Sequence, residues 1–314
     1  MTALPLISVV SPVYGCRDCL VELASRVRAG FEGAGLDWEL ILVDDRGPDE
    51  PWPVIAYLAR GDGRIRGLRL ARNHGQHLAI WAGLEAARGD WVAVVDCDLQ
   101  DDPGVIPALH ARALAAEADA VIVERGTWHD TRLRRMASRA YSRTLSWLTG
   151  FRIDNNVGNF GLYSRRMVDV LLQFRDKEVF LPVMVSLTGL PRVLFTLDRS
   201  GRHAGESSYN LLRLVRMAVA IIIRFSDRPL KLSVIVGLAF SGFAALFSVL
   251  LVVAWATGAF TVPGWTSIIL SVWFLSGLIL AVLGIHGFYV GRIFREVQDR
   301  PRIIVECTTD AAGR

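Results

Sequence analysis

Between Lys231 and Arg292 the chain has no Asp, Glu, Lys or Arg, and a single histidine is the only residue able to carry a charge. A helix that spans a bilayer needs about 20 apolar residues, so this stretch has room for two. The lack of polar interruptions disfavours the alternative, a single buried core hairpin. Glycine and proline residues within 257–264 mark a turn. The pattern predicts two membrane helices, near 232–256 and 265–290.

The turn between these helices lacks charge, whereas basic residues flank the hairpin: Arg224, Arg228 and Lys231 before it, and Arg292, Arg295, Arg300 and Arg302 after it. Basic flanks favour the cytoplasmic side of a membrane. The N-terminus lacks the basic region of a secretory signal, and Ser8, Ser11 and Pro12 interrupt its apolar run. We therefore expect a multi-pass protein of the inner (plasma) membrane with a cytoplasmic N-terminal domain.

Lysine and cysteine are both scarce. The chain has 2 Lys against 33 Arg, and only 4 Cys. Arginine binds phosphate through its planar fork, although most of these arginines are expected on the solvated surface. Four cysteines do not make a disulfide framework in a cytoplasmic domain. Cys16 and Cys19 have the CxxC spacing of redox and zinc sites, but no second pair follows. We interpret both as small residues at the start of a helix.

Several nucleotide-binding motifs are missing. A dinucleotide-binding domain needs Gly-x-Gly-x-x-Gly after its first strand, and residues 11–19 contain only Gly15. The Gly-Lys-Ser/Thr signature of a P-loop is absent throughout. These absences exclude a dinucleotide-binding domain and a P-loop domain. Separately, no nucleic-acid partner is expected.

Short apolar runs alternate with amphipathic segments in the first half of the chain. The runs that read as strands are 6–13, 39–43, 65–70, 91–95 and 120–124, and the helical segments between them are 19–34, 53–59, 76–88 and 105–117. A further strand at 160–163 and a helix at 166–174 follow. Continuous apolar strands that alternate with helices indicate a parallel sheet covered on both faces. The fold class is therefore α/β.

Polar residues gather where these strands end, and ligands of parallel α/β sheets bind at that edge. Asp96, Asp98 and Gln100 follow the fourth strand at alternating positions. Positions i, i+2 and i+4 of an extended segment share one face, so the three side chains are expected to converge. Hard oxygen ligands suit Mg²⁺ or Mn²⁺, which bridge substrate phosphates. The sequence thus predicts a metal and diphosphate site.

Four ordered motifs carry a resemblance to a known family: Ser8–Tyr14, Val43–Asp45, Arg72–His77 and Asp96–Gln100. Together they resemble family 2 glycosyltransferases of the GT-A fold, whose sheet is Rossmann-like and mostly parallel. Gly205–Asn210 ahead of a two-helix anchor is similar to the polyprenyl-phosphate branch. That branch includes dolichyl-phosphate mannose synthase and the bacterial undecaprenyl-phosphate glucosyl- and aminoarabinosyl-transferases. The resemblance covers residues 7–300.

The resemblance implies a donor site for a nucleoside-diphosphate sugar. Pro12 and Tyr14 would pack around the nucleoside, and Asp44 and Asp45 would bind its base or ribose. The remaining implied donor residues are Arg72 and Gln76 on the nucleotide sugar, Asp96, Asp98 and Gln100 on the divalent metal, and Arg125 against a phosphate. Asp96, Asp98, Arg125 and Arg202 are the implied catalytic residues.

The resemblance also implies a polyprenyl phosphate acceptor in the membrane lipid, to which a sugar would be transferred with inversion. The Gln-x-x-Arg-Trp motif of processive polysaccharide synthases is absent, which favours transfer of a single sugar. The residues expected to bind its phosphate are Arg132, Arg199, Arg202, Ser207 and Tyr209. The implied organisation is a GT-A domain at 1–210, an amphipathic interfacial helix at 211–230, two membrane helices at 231–291 and a cytoplasmic tail at 292–314. A homo-oligomer is also compatible with these features.

Two departures from the family pattern affect the site. Gly47 stands where the second motif usually has Ser, and Asn159 stands where some relatives have Asp, so a carboxylate base there is in doubt. Two other functions remain open: a non-catalytic membrane scaffold or lipid-flipping partner with a GT-A shell, and a membrane-anchored glycosyltransferase with a sugar or protein acceptor. The sequence leaves the sugar, the nucleotide and the choice of Mg²⁺ or Mn²⁺ undetermined.

Overall fold

The structure is a computed structural model that describes residues 4–125, 157–177, 179–197, 228–257, 264–298 and 300–310. These residues fall into two compact units. The first contains 4–125, most of 157–197 and the tail 300–310, and the second contains 228–257 and 264–298. Most of the predicted amphipathic interfacial helix at 211–230, namely residues 211–227, lies outside the described residues.

An eight-stranded mixed sheet forms the centre of the first unit, in the order β7-β5-β6-β4-β1-β2-β3-β8. Pairing is parallel among β3, β2, β1 and β4 and between β5 and β7, whereas β6 and β8 run antiparallel to their neighbours. The strands are β1 (Leu6–Val13), β2 (Asp37–Asp44), β3 (Ile65–Leu70), β4 (Trp91–Val94), β5 (Ala120–Arg125), β6 (Val157–Ser164), β7 (Arg192–Leu197) and β8 (Val305–Thr308).

One face of the sheet is covered by α1 (Leu20–Phe31), α2 (Trp52–Gly61) and α4 (Ile106–Ala115). Leu20, Leu23 and Val27 recur at helical spacing on α1 and are fully buried against β1 and β2. This recurrence is the amphipathic period that packs a helix onto a sheet. Burial of each such side chain contributes about 1.5–3 kcal/mol.

The opposite face is covered by α3 (Gln76–Ala86), α5 (Arg165–Gln173) and α6 (Leu181–Leu187). Helix α3 lies so close to β1 that a Cβ atom on Gly83 would meet the Cγ1 atom of Val10 at 2.2 Å. Ser164 caps the N-terminus of helix α5, because its hydroxyl accepts a hydrogen bond of 3.1 Å from the Met167 N–H. The sheet is therefore the middle layer of an α/β/α sandwich, which confirms the predicted class.

The predicted strands and helices of the first 125 residues are present, with β1 and β3 at the predicted bounds. The fourth strand was predicted to reach Val95 but ends at Val94. Strands β7 and β8 and helix α6 were not predicted. Strand β8 comes from the C-terminal tail and pairs with the edge strand β3.

The second unit contains two long helices, α7 (Arg228–Ala256) and α8 (Trp265–Val297), which contact each other. Their junction falls at the predicted turn. Among the described residues, one segment is long and apolar enough to cross a membrane, Ser271–Val297, and a shorter apolar helical stretch is Leu230–Ala239. The prediction of two spans is thus supported for one of them.

Candidate donor site

The loop after β1 is held by a carboxylate from the loop after β2. Asp49 accepts hydrogen bonds from the backbone N–H groups of Gly15 (3.1 Å) and Arg17 (2.6 Å). Gly15 has a left-handed backbone, with φ of 69°, which glycine adopts without steric cost. A Cβ atom on Gly47 would lie 2.5 Å from Asp49 Oδ1, so glycine at that position leaves room for the carboxylate. Asp49 is a positioning residue that the sequence analysis did not single out.

Asp44 ends β2 and Asp45 follows it, and both are almost fully buried, at 1% and 2% exposure. Asp45 accepts hydrogen bonds from the backbone N–H groups of His74 (2.7 Å) and Gly75 (2.8 Å), the loop that leads into α3. Burial raises the pKa of Asp45, and these two hydrogen bonds oppose the shift. Asp45 therefore fixes the position at which α3 begins.

The segment Asp96–Gln100 is a turn and not an extended strand, because β4 ends at Val94. Leu99 has φ of 60°, and the Asp98 carboxylate accepts a hydrogen bond of 3.1 Å from the Gln100 N–H. The predicted alternation of Asp96, Asp98 and Gln100 on one strand face is therefore wrong. Asp96 instead faces the first residue of α3, since Gln76 Nε2 donates a hydrogen bond of 2.7 Å to Asp96 Oδ1.

Cys97, between the two carboxylates, forms a disulfide bond with Cys16 in the loop after β1. Both cysteines are at least nine-tenths buried. The interpretation of Cys16 as merely a small residue at a helix start is thus wrong, although one disulfide bond does not amount to the disulfide framework that the cysteine count disfavours. Cys19 and Cys307 are free thiols. The bond ties two of the loops at the carboxyl edge of the sheet to each other.

A cavity of about 530 Å³ opens at this edge, between the loops that follow β1, β2, β3 and β4. Six predicted site residues line it: Pro12, Tyr14, Asp45, Gln76, Asp96 and Asp98. Sequence reasoning missed four further lining residues, Val13, Asn73, Gly75 and Cys97, although all four lie inside or beside the motifs that it used. Another cavity, of about 660 Å³, lies beside Glu85, Arg175 and Arg302 and contains none of the predicted residues.

Some predicted residues lie elsewhere in the described part of the chain. Asp44, Arg72 and Gln100 do not line the 530 Å³ cavity there, and Arg125 ends β5 beside Leu197 of β7. Asp44 is buried, and its carboxylate accepts a hydrogen bond of 2.9 Å from the Arg46 N–H. The predicted acceptor residues Arg132, Arg199, Arg202, Ser207 and Tyr209 lie outside the described residues.

His74, in the loop before α3, has its pKa lowered by burial and by the neighbouring Arg72. The imidazole is therefore neutral at pH 7, with Asp45 partly opposing the shift. Among the described residues, no group of three or more His, Cys, Asp or Glu side chains forms a metal centre. Two of the carboxylates that line the cavity, Asp96 and Asp98, come from the turn after β4.

Comparison with known proteins gives concordant matches. The sequence profile of glycosyl transferase family 2 matches residues 8–172. An undecaprenyl-phosphate 4-deoxy-4-formamido-L-arabinose transferase of Pseudomonas paraeruginosa is 34% identical over 98% of this chain and 91% of its own. The uncharacterized glycosyltransferase YkcC of Bacillus subtilis is 29% identical over 95% of this chain and 93% of its own.

The structure of mannosyl-3-phosphoglycerate synthase from Rubrobacter xylanophilus matches 72% of this chain and 74% of its own, with 21% identity and a TM-score of 0.49. The family profile spans every element that builds the cavity, from β1 to the turn after β4. The mostly parallel sheet, flanked by helices on both faces, is the GT-A arrangement that the resemblance implied. This chain therefore belongs to glycosyl transferase family 2 and is a glycosyltransferase.

Proposed function

We propose that the enzyme transfers one sugar from a nucleoside-diphosphate sugar to a polyprenyl phosphate at the cytoplasmic face of the membrane. The observation that carries this proposal is the cavity at the carboxyl edge of the sheet. Asp45, Gln76, Asp96 and Asp98 meet there from three different loops. A relative named for transfer to undecaprenyl phosphate supports the choice of acceptor.

The cavity fits a divalent ion that is shared with the substrate. Mg²⁺ is usually bound by one or two carboxylates together with substrate phosphates and water. Asp96 and Asp98 supply two carboxylates, and Gln76 holds Asp96 in place through its 2.7 Å hydrogen bond. When bound, Mg²⁺ or Mn²⁺ would neutralise charge on the departing diphosphate as a Lewis acid. Gln100 does not line the cavity, so its side chain would have to change orientation to bind the ion. With that change, we propose it as a third ligand.

The nucleoside would lie against Pro12 and Tyr14 at the end of β1. Tyr14 is 55% exposed, so its ring is free to stack on a base. Asp45 lines the same cavity, and its carboxylate is already engaged with the His74 and Gly75 N–H groups. We therefore assign Asp45 a positioning role and propose base or ribose contacts for the neighbouring Asn73. Arg72 does not line the cavity, and we propose that it contacts a phosphate of the nucleotide sugar from outside it.

A phosphate acceptor removes the need for a strong general base. The second pKa of a phosphate monoester is about 6, so the attacking oxygen is largely ionised at neutral pH. Asn159, near the start of β6, is then compatible with catalysis, because no carboxylate base is required at that position. In-line attack from the side opposite the diphosphate would invert the anomeric configuration.

The acceptor side of the proposal rests on the family resemblance. Arg125 would contact a phosphate, and Arg132, Arg199, Arg202, Ser207 and Tyr209 would bind the lipid phosphate. Ser271–Val297 supplies one apolar helix of membrane-spanning length, and the two-span arrangement and the boundaries near 210 and 231 remain part of the proposal. Homo-oligomerisation is compatible with it.

The proposal is tested with the full chain in membranes, undecaprenyl phosphate and a panel of labelled UDP- and GDP-sugars. We expect one donor to give a labelled product that partitions into organic solvent, and chelation of divalent ions to abolish it. Addition of Mg²⁺ or Mn²⁺ should restore the reaction. A water-soluble product would instead indicate a sugar acceptor, and a labelled polypeptide would indicate a protein acceptor. No transfer from any donor would favour a non-catalytic scaffold.

A further inference from the structure

The C-terminal tail adds a strand to the catalytic sheet, although it follows the apolar helix α8 in the chain. Strand β8 pairs antiparallel with β3, with Thr308 beside Leu68 and Val305 beside Leu70. The Ala71 N–H donates a hydrogen bond of 2.8 Å to the Ile304 carbonyl. The beginning of β8 is therefore placed at the carboxyl end of β3, the same edge of the sheet as the cavity.

Two acidic residues of the tail bind arginines at opposite ends of β3. Asp310, past the end of β8, binds Arg66 Nε at 2.8 Å and Arg88 at 3.4 Å, far from the carboxyl edge. Glu306, near the beginning of β8, hydrogen-bonds Arg46 and lies 3.7 Å from Arg69 Nε. The chain therefore offers two tail carboxylates of which only one is directed toward the carboxyl edge.

Both arginines held by Glu306 also contact Asp44. The Arg46 N–H donates to Asp44 Oδ1 at 2.9 Å, and Arg69 Nε lies 3.3 Å from Asp44 Oδ2. Within the described residues that second oxygen makes an ion pair but no hydrogen bond, although it is buried. The Arg46 side chain is fixed at its other side by a 3.0 Å hydrogen bond from Nε to the Leu70 carbonyl. Glu306 thus completes a cluster of two arginines around one buried aspartate.

This cluster lies at the centre of the segment that shapes the cavity. Arg46 has a left-handed backbone, with φ of 57°, a conformation that is uncommon outside glycine. The residue before it, Asp45, holds the loop that leads into α3, and Asp49 holds the loop after β1. A displacement of Arg46 would therefore move both walls of the cavity.

We propose that Glu306 is a positioning residue for nucleotide binding, acting through Arg46 and Arg69 on the Asp44–Asp49 segment. The inference rests on the proposed function, because it assumes that this cavity binds the nucleoside diphosphate of the donor. Burial raises the pKa of Asp44, and the two arginines oppose that shift. Glu306 keeps their charges balanced while it holds them beside the aspartate. Through Glu306, the donor site would extend to the C-terminal tail, which lies beyond the residues that the family profile matches.

The test compares Glu306→Gln with the matched control Asp310→Asn in the full chain purified in detergent. UDP and GDP, each added alone, serve as probes for calorimetric titration, and the donor KM and kcat are measured with the sugar nucleotide that supports transfer. We expect Glu306→Gln to weaken binding of the preferred nucleotide about threefold to fivefold, which is the upper range for a half-exposed ion pair. The donor KM should rise by a similar factor with kcat nearly unchanged. Glu306→Asp should recover part of the affinity.

Asp310→Asn removes the same charge from the same tail but leaves the Asp44 cluster intact, so its nucleotide affinity should stay near that of the unmodified chain. Thermal melts of both variants report any general loosening of the tail. Equal losses of affinity in the two variants, or no loss in Glu306→Gln, would overturn the inference and leave the proposed function standing. If the unmodified chain bound neither nucleotide, the donor site and this inference would both be wrong.

Discussion

Cys97 is bonded to Cys16 across the carboxyl edge of the sheet, and its two neighbours in sequence are Asp96 and Asp98. The carboxylates proposed to hold the divalent ion are therefore tethered covalently to the loop after β1, which carries Tyr14. The bond restricts the separation of the two cavity walls while leaving both carboxylates on the cavity surface.

Loss of this disulfide should destabilise the fold. The bond closes a loop with a sequence separation of 81, for which the chain-entropy relation gives about 4.5 kcal/mol. We expect Cys16→Ser to lower the free energy of unfolding by up to that amount, as measured in denaturant titrations without reductant. Cys19→Ser, which alters a free thiol three residues away, is the control and should change stability little. Peptide mapping of non-reduced protein that found Cys16 and Cys97 unlinked would contradict the assignment.

Gly83 and Gly61 should respond in opposite directions to replacement by alanine. Both lie in helices, where alanine is favoured over glycine by about 1 kcal/mol. On Gly83 the new Cβ would meet Val10 Cγ1 at 2.2 Å, whereas on Gly61 it meets nothing within 4 Å. Overpacking costs about 1–3 kcal/mol and exceeds the helical gain, so Gly83→Ala should be destabilising.

Thermal melts of the two glycine variants provide the measurement. Gly61→Ala should raise the melting temperature slightly, and Gly83→Ala should lower it and also raise the donor KM, because α3 carries Gln76. If both variants were stabilised, α3 would not lie as close to β1 as the structure places it.

His110 should make the fold sensitive to mild acid. It is 7% exposed, its ring lies edge-on to Trp91 with ring centroids 5.4 Å apart, and burial lowers its pKa below the ordinary value of 6.5. Since the unfolded chain then binds the proton more readily, stability is lost as pH falls through 6.5 toward the lowered pKa. Unfolding by urea at several pH values should show this loss, and His110→Gln should reduce its steepness. An identical slope in the variant would contradict the account.

Much of the sheet was predictable because its signals are local. The apolar run of β1 lies between Pro5 and Tyr14, and β3 follows Gly63 and Arg64, so the bounds of both strands could be located from the sequence. Two lining residues, Asp96 and Asp98, followed from the rule that polar loops after parallel strands meet at one edge. The other four predicted lining residues, Pro12, Tyr14, Asp45 and Gln76, followed from the family resemblance. The family motifs then placed those loops in order along the chain.

The remaining features depend on contacts that no local pattern contains. Strand β8 has only four residues, and its place is set by pairing with β3 and by ion pairs to Arg46 and Arg69 more than 230 positions earlier. The turn over Asp96–Gln100 requires a left-handed backbone at Leu99. Because leucine rarely adopts that conformation, its presence in the sequence does not predict the turn. The pairing of Cys16 with Cys97 likewise needs the register of β1 beside β4.

The rate of lipid-linked sugar formation by Asp96→Asn, compared with Asp102→Asn, tests the central claim most directly. Asp102 lies in the same acidic stretch, but its carboxylate accepts a hydrogen bond of 2.9 Å from the Gly104 N–H and does not line the cavity. We expect Asp96→Asn to lose about 100-fold or more of the transfer rate, the scale of one lost electrostatic contact to developing charge. Asp102→Asn should retain nearly all of it. Equal rates in the two variants, in folded full-length protein, would contradict the assignment of this cavity as the site of transfer.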